Sequence, residues 1–234
     1  MRLRSTEAYD GFDAYDAATD AYDDTGSASV TGNIDPVVVV LSAPEAPLAA
    51  QSRDLQSTLA AVRLPDGSRP NAIALIGVGA DCEAAVLSTN IAAASALSGA
   101  RTLLVDAGNA SFLQHRLLHV EIPAGAGASE TMFERIQPTG INRLSILATP
   151  RHEGIGRDGE ECLSLSAQLR PLSSHFDLCV VDASHLNDLG LAASAADAAV
   201  LIVRQDQTEA SELKRARIKL SMLGVHVVGT VLTN

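Results

Sequence analysis

The sequence predicts an α/β protein with a doubly wound, mostly parallel sheet and helices on both faces. Short, almost purely apolar runs alternate with longer segments of helical character through residues 71–234, which is typical of strands that helices cover on both sides. This alternation favours parallel strands joined by crossover helices. Apolar residues make up 47% of the 234 residues but aromatic residues only 3%. A sizeable core must therefore be built from Ala, Leu, Val and Ile.

Three regions follow one another along the chain. Residues 1–34 are acidic and lack hydrophobic periodicity, so we expect a disordered tail. Residues 35–70 are expected to form an extended strand over 36–48, a helix over 49–62 and a turn-rich linker. The remaining residues, 71–234, are expected to form the α/β domain. Its predicted strands are 72–78, 101–106, 143–148, 177–182, 198–203 and 225–232. Its predicted helices are 81–98, 110–118, 129–136, 160–174, 188–196 and 208–222.

Composition excludes several classes of function. The net charge of −11 disfavours nucleic acids and anionic membranes as partners, because both are polyanions. The start of the chain lacks the apolar stretch of a secretory signal, and no apolar run approaches the roughly 20 residues of a membrane span. We therefore expect a cytoplasmic protein that reaches the inner face of the membrane only through a partner. The three cysteines, Cys82, Cys162 and Cys179, lack metal-site spacing, so we expect reduced thiols and no metal.

The turn after the first domain strand resembles a phosphate-binding loop that has lost its polar groups. Such a loop reads G-x-x-x-x-G-K-[ST], where the backbone N–H groups cradle phosphate, the lysine neutralises charge and the hydroxyl binds Mg²⁺. Gly77 and Gly79 open the turn, but the last glycine, the lysine and the hydroxyl residue are replaced by Glu83, Ala84 and Ala85. The sequence therefore predicts a degenerate nucleotide loop, with neither ATP nor Mg²⁺ as a cofactor.

Two apolar strands end in a carboxylate. Asp106 closes LLVDA and Asp182 closes CVVDA, so both are expected at the sheet edge where ligands of such folds bind. In an active nucleotidase one such Asp holds Mg²⁺ and another orients the attacking group. An Asp after a strand also caps the next turn or helix, and this alternative stays open. Without a lysine and a hydroxyl in the loop, we expect these two retained acids to have no catalytic role.

Residues 34–234 resemble the tyrosine autokinases (BY-kinases) of bacterial capsule and exopolysaccharide export, which belong to the MinD/ParA-like deviant P-loop ATPases. Several segments in order carry the resemblance. STNIAAASALSGARTLLVDAG is similar to the family's T-A-A-N-L-A-x-A-x-A-x-x-G-x-R-V-L-L-I-D-A-D. FDLCVVDASHLNDLGLAASAADAAVLIVRQDQT is similar to Y-D-x-V-I-I-D-T-P-P…D-A…A-D-x-x-x-L-V-V-R, and LGVHVVGTVLTN to A-G-x-x-V-x-G-x-V-L-N.

The resemblance implies partners and assembly as well as fold. The family's E-x-x-R-x-x-R oligomerisation helix corresponds here to Ala50, Arg53 and Gln56, so we expect a weak homo-oligomeric ring or none. Asn234 corresponds to a residue near the nucleotide base in relatives and is a candidate base contact. The implied partner is a membrane polysaccharide co-polymerase, which determines chain length, or an active kinase paralogue.

The sequence therefore favours a catalytically degenerate, autokinase-like protein that regulates exopolysaccharide export, a pseudokinase. Two alternatives remain open. One is an active ATP-dependent tyrosine kinase or ATPase with an atypical loop, and the other is a MinD/ParA-like spatial regulator.

The tail holds every tyrosine of the chain. Tyr9, Tyr15 and Tyr22 each lie in an Ala-Tyr-Asp repeat and are candidate phosphorylation sites that replace the C-terminal tyrosine cluster of relatives. The alternative is a low-complexity arm that only solvates the protein. Each phosphate adds a charge of roughly −1.5 to −2, so phosphorylation is expected to release the tail from, or dock it to, a basic surface. The candidate surface is the cluster Lys214, Arg215, Arg217 and Lys219, for which a merely solvated helix face is the alternative.

Overall fold

The structure is a computed structural model. It describes residue 30 and residues 32–79, 81–107, 112–122, 135–148, 169–183 and 195–233, without the side chains of residues 81–83. The described helices are α1 (Val39–Ser42), α2 (Pro47–Ala61), α3 (Asp81–Leu97), α4 (Leu113–Leu117) and α5 (Ala210–Met222). The strands are β1 (Ala72–Val78), β2 (Thr102–Asp106), β3 (Ile136–Pro138), β4 (Leu144–Ala148), β5 (Leu178–Ala183), β6 (Ala198–Arg204) and β7 (His226–Thr233). Residues 169–173 are also helical.

Seven strands form one sheet in the order β3-β4-β2-β5-β1-β6-β7. All neighbours pair in parallel except β3, which runs antiparallel to β4 at one edge. Every residue of β1, β2 and β4 is buried, as expected for strands that are covered on both faces. The predicted doubly wound, mostly parallel α/β fold is therefore confirmed.

Each face of the sheet has its own apolar core. One core packs α5, through Ala216 and Leu220, together with Leu172 and Phe176 against the sheet. The other packs α1, α2 and α3 against the opposite face and is made largely of alanine and branched aliphatic residues. Residues 35–62 therefore pack on the same sheet as the rest of the chain.

The prediction of an extended strand over 36–48 is wrong. Residues 39–42 form α1 and α2 already begins at Pro47, where proline suits the first helical position because its missing N–H needs no partner. Asp35 Oδ1 accepts from Val37 N at 2.9 Å, and the Asn90 side chain accepts from Val40 N at 3.2 Å and donates to Val37 O at 3.1 Å. The valine run is thus held by a side chain of α3 and not by a neighbouring strand.

The helix expected over 129–136 is wrong at its end, because Ile136 lies in β3. Pro138 suits this short edge strand, where a missing N–H costs no inner ladder bond. The helix expected over 110–118 is shorter than predicted and spans Leu113–Leu117. Most of the helix expected over 188–196 lies outside the described residues. The other predicted strands agree with the observed ones to within one residue at each end.

Among the described residues, no helix combines the length and the apolar character needed to span a bilayer. Cys179 is a free thiol inside β5. Burial, and to a lesser degree the nearby Asp197 carboxylate, raise the pKa of this thiol to about 12, so it remains protonated at neutral pH.

Candidate functional site

The two strand-ending carboxylates lie side by side at the carboxyl edge of the sheet. Strands β2 and β5 are parallel neighbours, and their register places Asp106 directly opposite Asp182. Both residues are buried, at 4% and 1% exposure. A buried carboxylate is costly unless donors surround it, so their contacts decide what this edge can do.

Asp182 receives donors from two different helices. Gln114 Nε2, on α4, donates to Asp182 Oδ2 at 2.9 Å. The Ser88 hydroxyl of α3 lies 3.4 Å from Asp182 Oδ1, although its shorter hydrogen bond, at 2.7 Å, goes to Ala84 O. Both carboxylate oxygens of Asp182 thus face side chains of the chain itself.

The Gln114 side chain joins this carboxylate to the first turns of α3. Its Nε2 also donates to Ala85 O at 3.0 Å, and the Thr89 hydroxyl hydrogen-bonds to its Oε1. Gln114 is completely buried. Both donors and the acceptor of its amide are therefore engaged, which is what a buried amide requires.

Asp106 is next to a buried histidine. Asp106 Oδ2 lies 3.5 Å from His115 Nδ1, a distance that gives an ion pair only when the imidazole is protonated. His115 is completely buried, and its ring meets that of Phe112 edge-on with centroids 5.8 Å apart. Within the described part of the chain, His115 Nε2 has no hydrogen-bond partner.

The turn that follows β1 is bound to the N-terminus of α5. Gly79 has a φ of +90°, which other residues adopt only with strain. The Thr208 hydroxyl donates to Val78 O at 2.8 Å. A Cβ placed on Gly79 would lie 3.3 Å from Glu212 Oε2, so an acidic side chain approaches the start of the turn.

The residues predicted to replace the lysine and hydroxyl of the loop lie in the first turns of α3. Ala84 and Ala85 are both completely buried, and Ala84 belongs to the apolar core shared with α1 and α2. The Glu83 side chain lies outside the described residues, as do Asn234, Tyr9, Tyr15 and Tyr22. Gly77 lies within β1, paired with Ile202 of β6.

The structure brings together Asp106, Asp182 and the beginning of α3, as the sequence predicts. It also adds Gln114 and His115, which the sequence pattern did not predict as site residues. The available signal was a polar Gln-His pair inside the apolar run FLQHRLL, just after an Asp-terminated strand. That signal was weak because the sequence does not show which strand end a pair of residues in this connection will contact.

No protein-family model matches the chain. In sequence, it is 26% identical over 156 residues to CapB of Staphylococcus aureus, a protein named as a tyrosine-protein kinase, and the match spans 63% of this chain and 68% of CapB.

Solved structures give the same picture of the fold. The kinase domain of the Escherichia coli tyrosine kinase ETK has a TM-score of 0.71 and 18% identity, covering 98% of this chain and 95% of that domain. The chimeric protein CapA2B2 has a TM-score of 0.68 and 17% identity, covering 88% and 92%. The cell division ATPase MinD of Pyrococcus furiosus has a TM-score of 0.56 and 18% identity, covering 69% of this chain and 70% of MinD. The chain therefore has a BY-kinase-like fold of the MinD/ParA P-loop type.

Proposed function

We propose that this protein is a catalytically degenerate relative of the tyrosine autokinases that regulates or assembles an exopolysaccharide export system. One observation carries the proposal. The completely buried Gln114 amide donates to both Asp182 and Ala85 O and so bridges them. In a working site the Asp182 carboxylate would instead have to face a metal ion and phosphate.

The chemistry of the edge supports this reading. Mg²⁺ binds through oxygen ligands and several waters, and a phosphoryl-transfer site also needs a positive group against the phosphates. The buried Asp106 and Asp182 contact His115, Gln114 and Ser88 of their own chain. Ala84 and Ala85 offer neither an ammonium nor a hydroxyl, and Glu212 brings negative charge to the turn. These residues do not fit Mg²⁺–ATP.

The similar structures also support a partner for this protein. One structural neighbour, CapA2B2, is a chimeric protein, which supports a pairing between proteins of this fold and a second component. We propose that the partner here is the cytoplasmic end of a membrane polysaccharide co-polymerase or an active kinase paralogue. The protein then acts at the inner face of the membrane without inserting into it.

Genetic complementation tests the proposal. A deletion strain should regain polysaccharide of the wild-type chain length when it receives Asp106→Asn, because a regulatory scaffold needs the shape of this edge but not its charge. Immunoblotting must show equal protein levels. Failure to complement at equal abundance, together with loss of phosphotyrosine from the protein, indicates an active kinase and overturns the proposal.

Self-assembly is expected to be weak. Ala50, Arg53 and Gln56 lie on α2, and of these only Arg53 is charged. The Arg53 guanidinium donates to Pro44 O of its own chain at 2.8 Å, so it is already engaged, and no carboxylate of this set is present to form a charge-assisted pair. Light scattering at micromolar concentration should give the mass of a monomer. A stable homo-octamer contradicts this prediction.

A further inference from the structure

The C-terminal helix and strand present an exposed surface that is both apolar and basic. Among the described residues, four of the seven exposed large apolar side chains belong to this unit, namely Ile218, Met222, Leu223 and Leu232. Met222 is 82% exposed. Surfaces that combine several exposed apolar side chains mark binding sites more often than isolated ones do.

One side of α5 carries this surface in a regular pattern. Lys214, Ile218 and Met222 follow each other at intervals of four residues, and Arg217 lies beside them, so they share one helix face. They line a shallow, open depression along the helix. We name this face the α5 groove. Within the described ranges, Lys214 and Arg217 have no ion-pair partner.

The charge of the α5 groove indicates which segment of the chain binds there. The chain has a net charge of −11, whereas Lys214 and Arg217 give this groove a local positive charge that attracts acidic segments. Residues 1–29 contain seven acidic residues against two arginines, and each tyrosine there is followed by aspartate. Each Tyr-Asp pair of the tail offers an aromatic ring beside a carboxylate. Ile218 and Lys214 offer an apolar side chain beside a cation, so the two pairs are complementary.

The length of chain between Val30 and each tyrosine decides which Ala-Tyr-Asp repeats can contact the α5 groove. Val30 pairs with Ile141 beside β4, and β7 lies five strand spacings away, about 24 Å across the sheet. The α5 groove is on the opposite face from Ile141, so the route is longer than this. Tyr22 is about 8 residues from Val30 and reaches at most about 27 Å, whereas Tyr15 reaches about 50 Å and Tyr9 about 70 Å.

We propose that the acidic segment around Tyr9 and Tyr15 docks in the α5 groove of the same molecule. The tyrosine rings cover Ile218 and Met222, and the aspartates pair with Lys214 and Arg217. Because the segment is tethered, its effective concentration at the groove is of millimolar order, which favours docking within one molecule.

The chain offers a native probe for this docking. It has no tryptophan, and its three tyrosines all lie in the tail, so tyrosine fluorescence anisotropy of the full-length protein reports on the tail alone. We expect an elevated anisotropy at about 0.05 M salt that falls to the value of a peptide of residues 1–29 at about 1 M salt, where charges are screened within about 3 Å. Lys214→Glu with Arg217→Glu should cause the same loss at low salt.

A matched control lies on the same helix. Arg215→Glu with Lys219→Glu changes the charge of α5 by the same amount at two residues that do not line the groove, and it should leave the anisotropy elevated. With Tyr9→Phe and Tyr22→Phe, which leave Tyr15 as the reporter, the signal should persist. With Tyr9→Phe and Tyr15→Phe, the remaining Tyr22 should report a lower anisotropy.

Three results overturn the proposal. An equal loss in both charge-reversal pairs shows general attraction without a groove. Anisotropy that rises with protein concentration shows that a second copy supplies the tail. Peptide-like anisotropy at low salt in the wild type, together with sedimentation on anionic vesicles that Lys214→Glu with Arg217→Glu abolishes, assigns the groove to a membrane surface.

Discussion

Replacing Gln114 by leucine is expected to lower the free energy of unfolding by about 2–4 kcal/mol. The two side chains are similar in size, so the loss comes from hydrogen bonds and not from a cavity. Asp182 loses the amide that donates to its Oδ2, and Ala85 O and Thr89 lose their contacts with the same amide. A hydrogen bond to a charged group contributes about 1.5–3 kcal/mol, and an unsatisfied buried group costs a similar amount. Urea unfolding followed by circular dichroism measures the change.

The control for this variant makes the same replacement on an exposed helix face. Gln51 lies on α2 and is exposed, so Gln51→Leu should stay within about 0.5 kcal/mol of the wild type. If Gln114→Leu is also that close to the wild type, the amide does not hold the carboxylate edge, and the support it gives to the proposed function is lost.

Placing lysine at position 84 is expected to destabilise the fold by about 3 kcal/mol or more. A working phosphate loop would have a lysine at this position and would hold it next to solvent and phosphate. Here Ala84 is completely buried in the apolar core shared with α1 and α2. The longer side chain would overpack that core, at about 1–3 kcal/mol, and an unpaired buried ammonium costs several kcal/mol more.

Thermal and urea unfolding of Ala84→Lys, compared with Ala60→Lys, test this expectation. Ala60 is exposed on α2, where lysine is a good helix former and should be neutral. If Ala84→Lys is as stable as Ala60→Lys, its ammonium reaches solvent or an anion as a catalytic lysine does. The loop would then still have room for the lysine of a nucleotide loop, and the scaffold would be open to restoration at positions 83, 84 and 85.

The strands and the carboxylate pair were predictable because both follow from local pattern and topology. Continuous apolar runs identify buried parallel strands, and parallel neighbours bring Asp106 and Asp182 to one edge whatever the loops do. The valine run at 37–40 was misassigned because β-branched residues favour strands, whereas the Asn90 side chain, 50 residues further on, fixes this backbone as a helical turn. Such long-range polar contacts leave no periodic signal.

Gln114 could not be assigned to the site for a related reason. Its contacts with Ala85 and Asp182 span 29 and 68 residues of sequence, and the short helix α4 that carries it is preceded by a residue with a positive φ, Phe112. Neither its direction nor its partners can be read from residues 110–118 alone.

A titration of the purified, full-length protein with Mg²⁺–ATP decides whether the carboxylate edge of the sheet still binds nucleotide. Isothermal calorimetry should show no saturable binding up to about 5 mM nucleotide, well above the 1 μM to 1 mM range in which enzymes usually bind their substrates. Dissociation in the low-millimolar range or tighter, abolished by Asp182→Asn and accompanied by autophosphorylation that the same variant loses, would contradict the account and show an active kinase with an atypical loop.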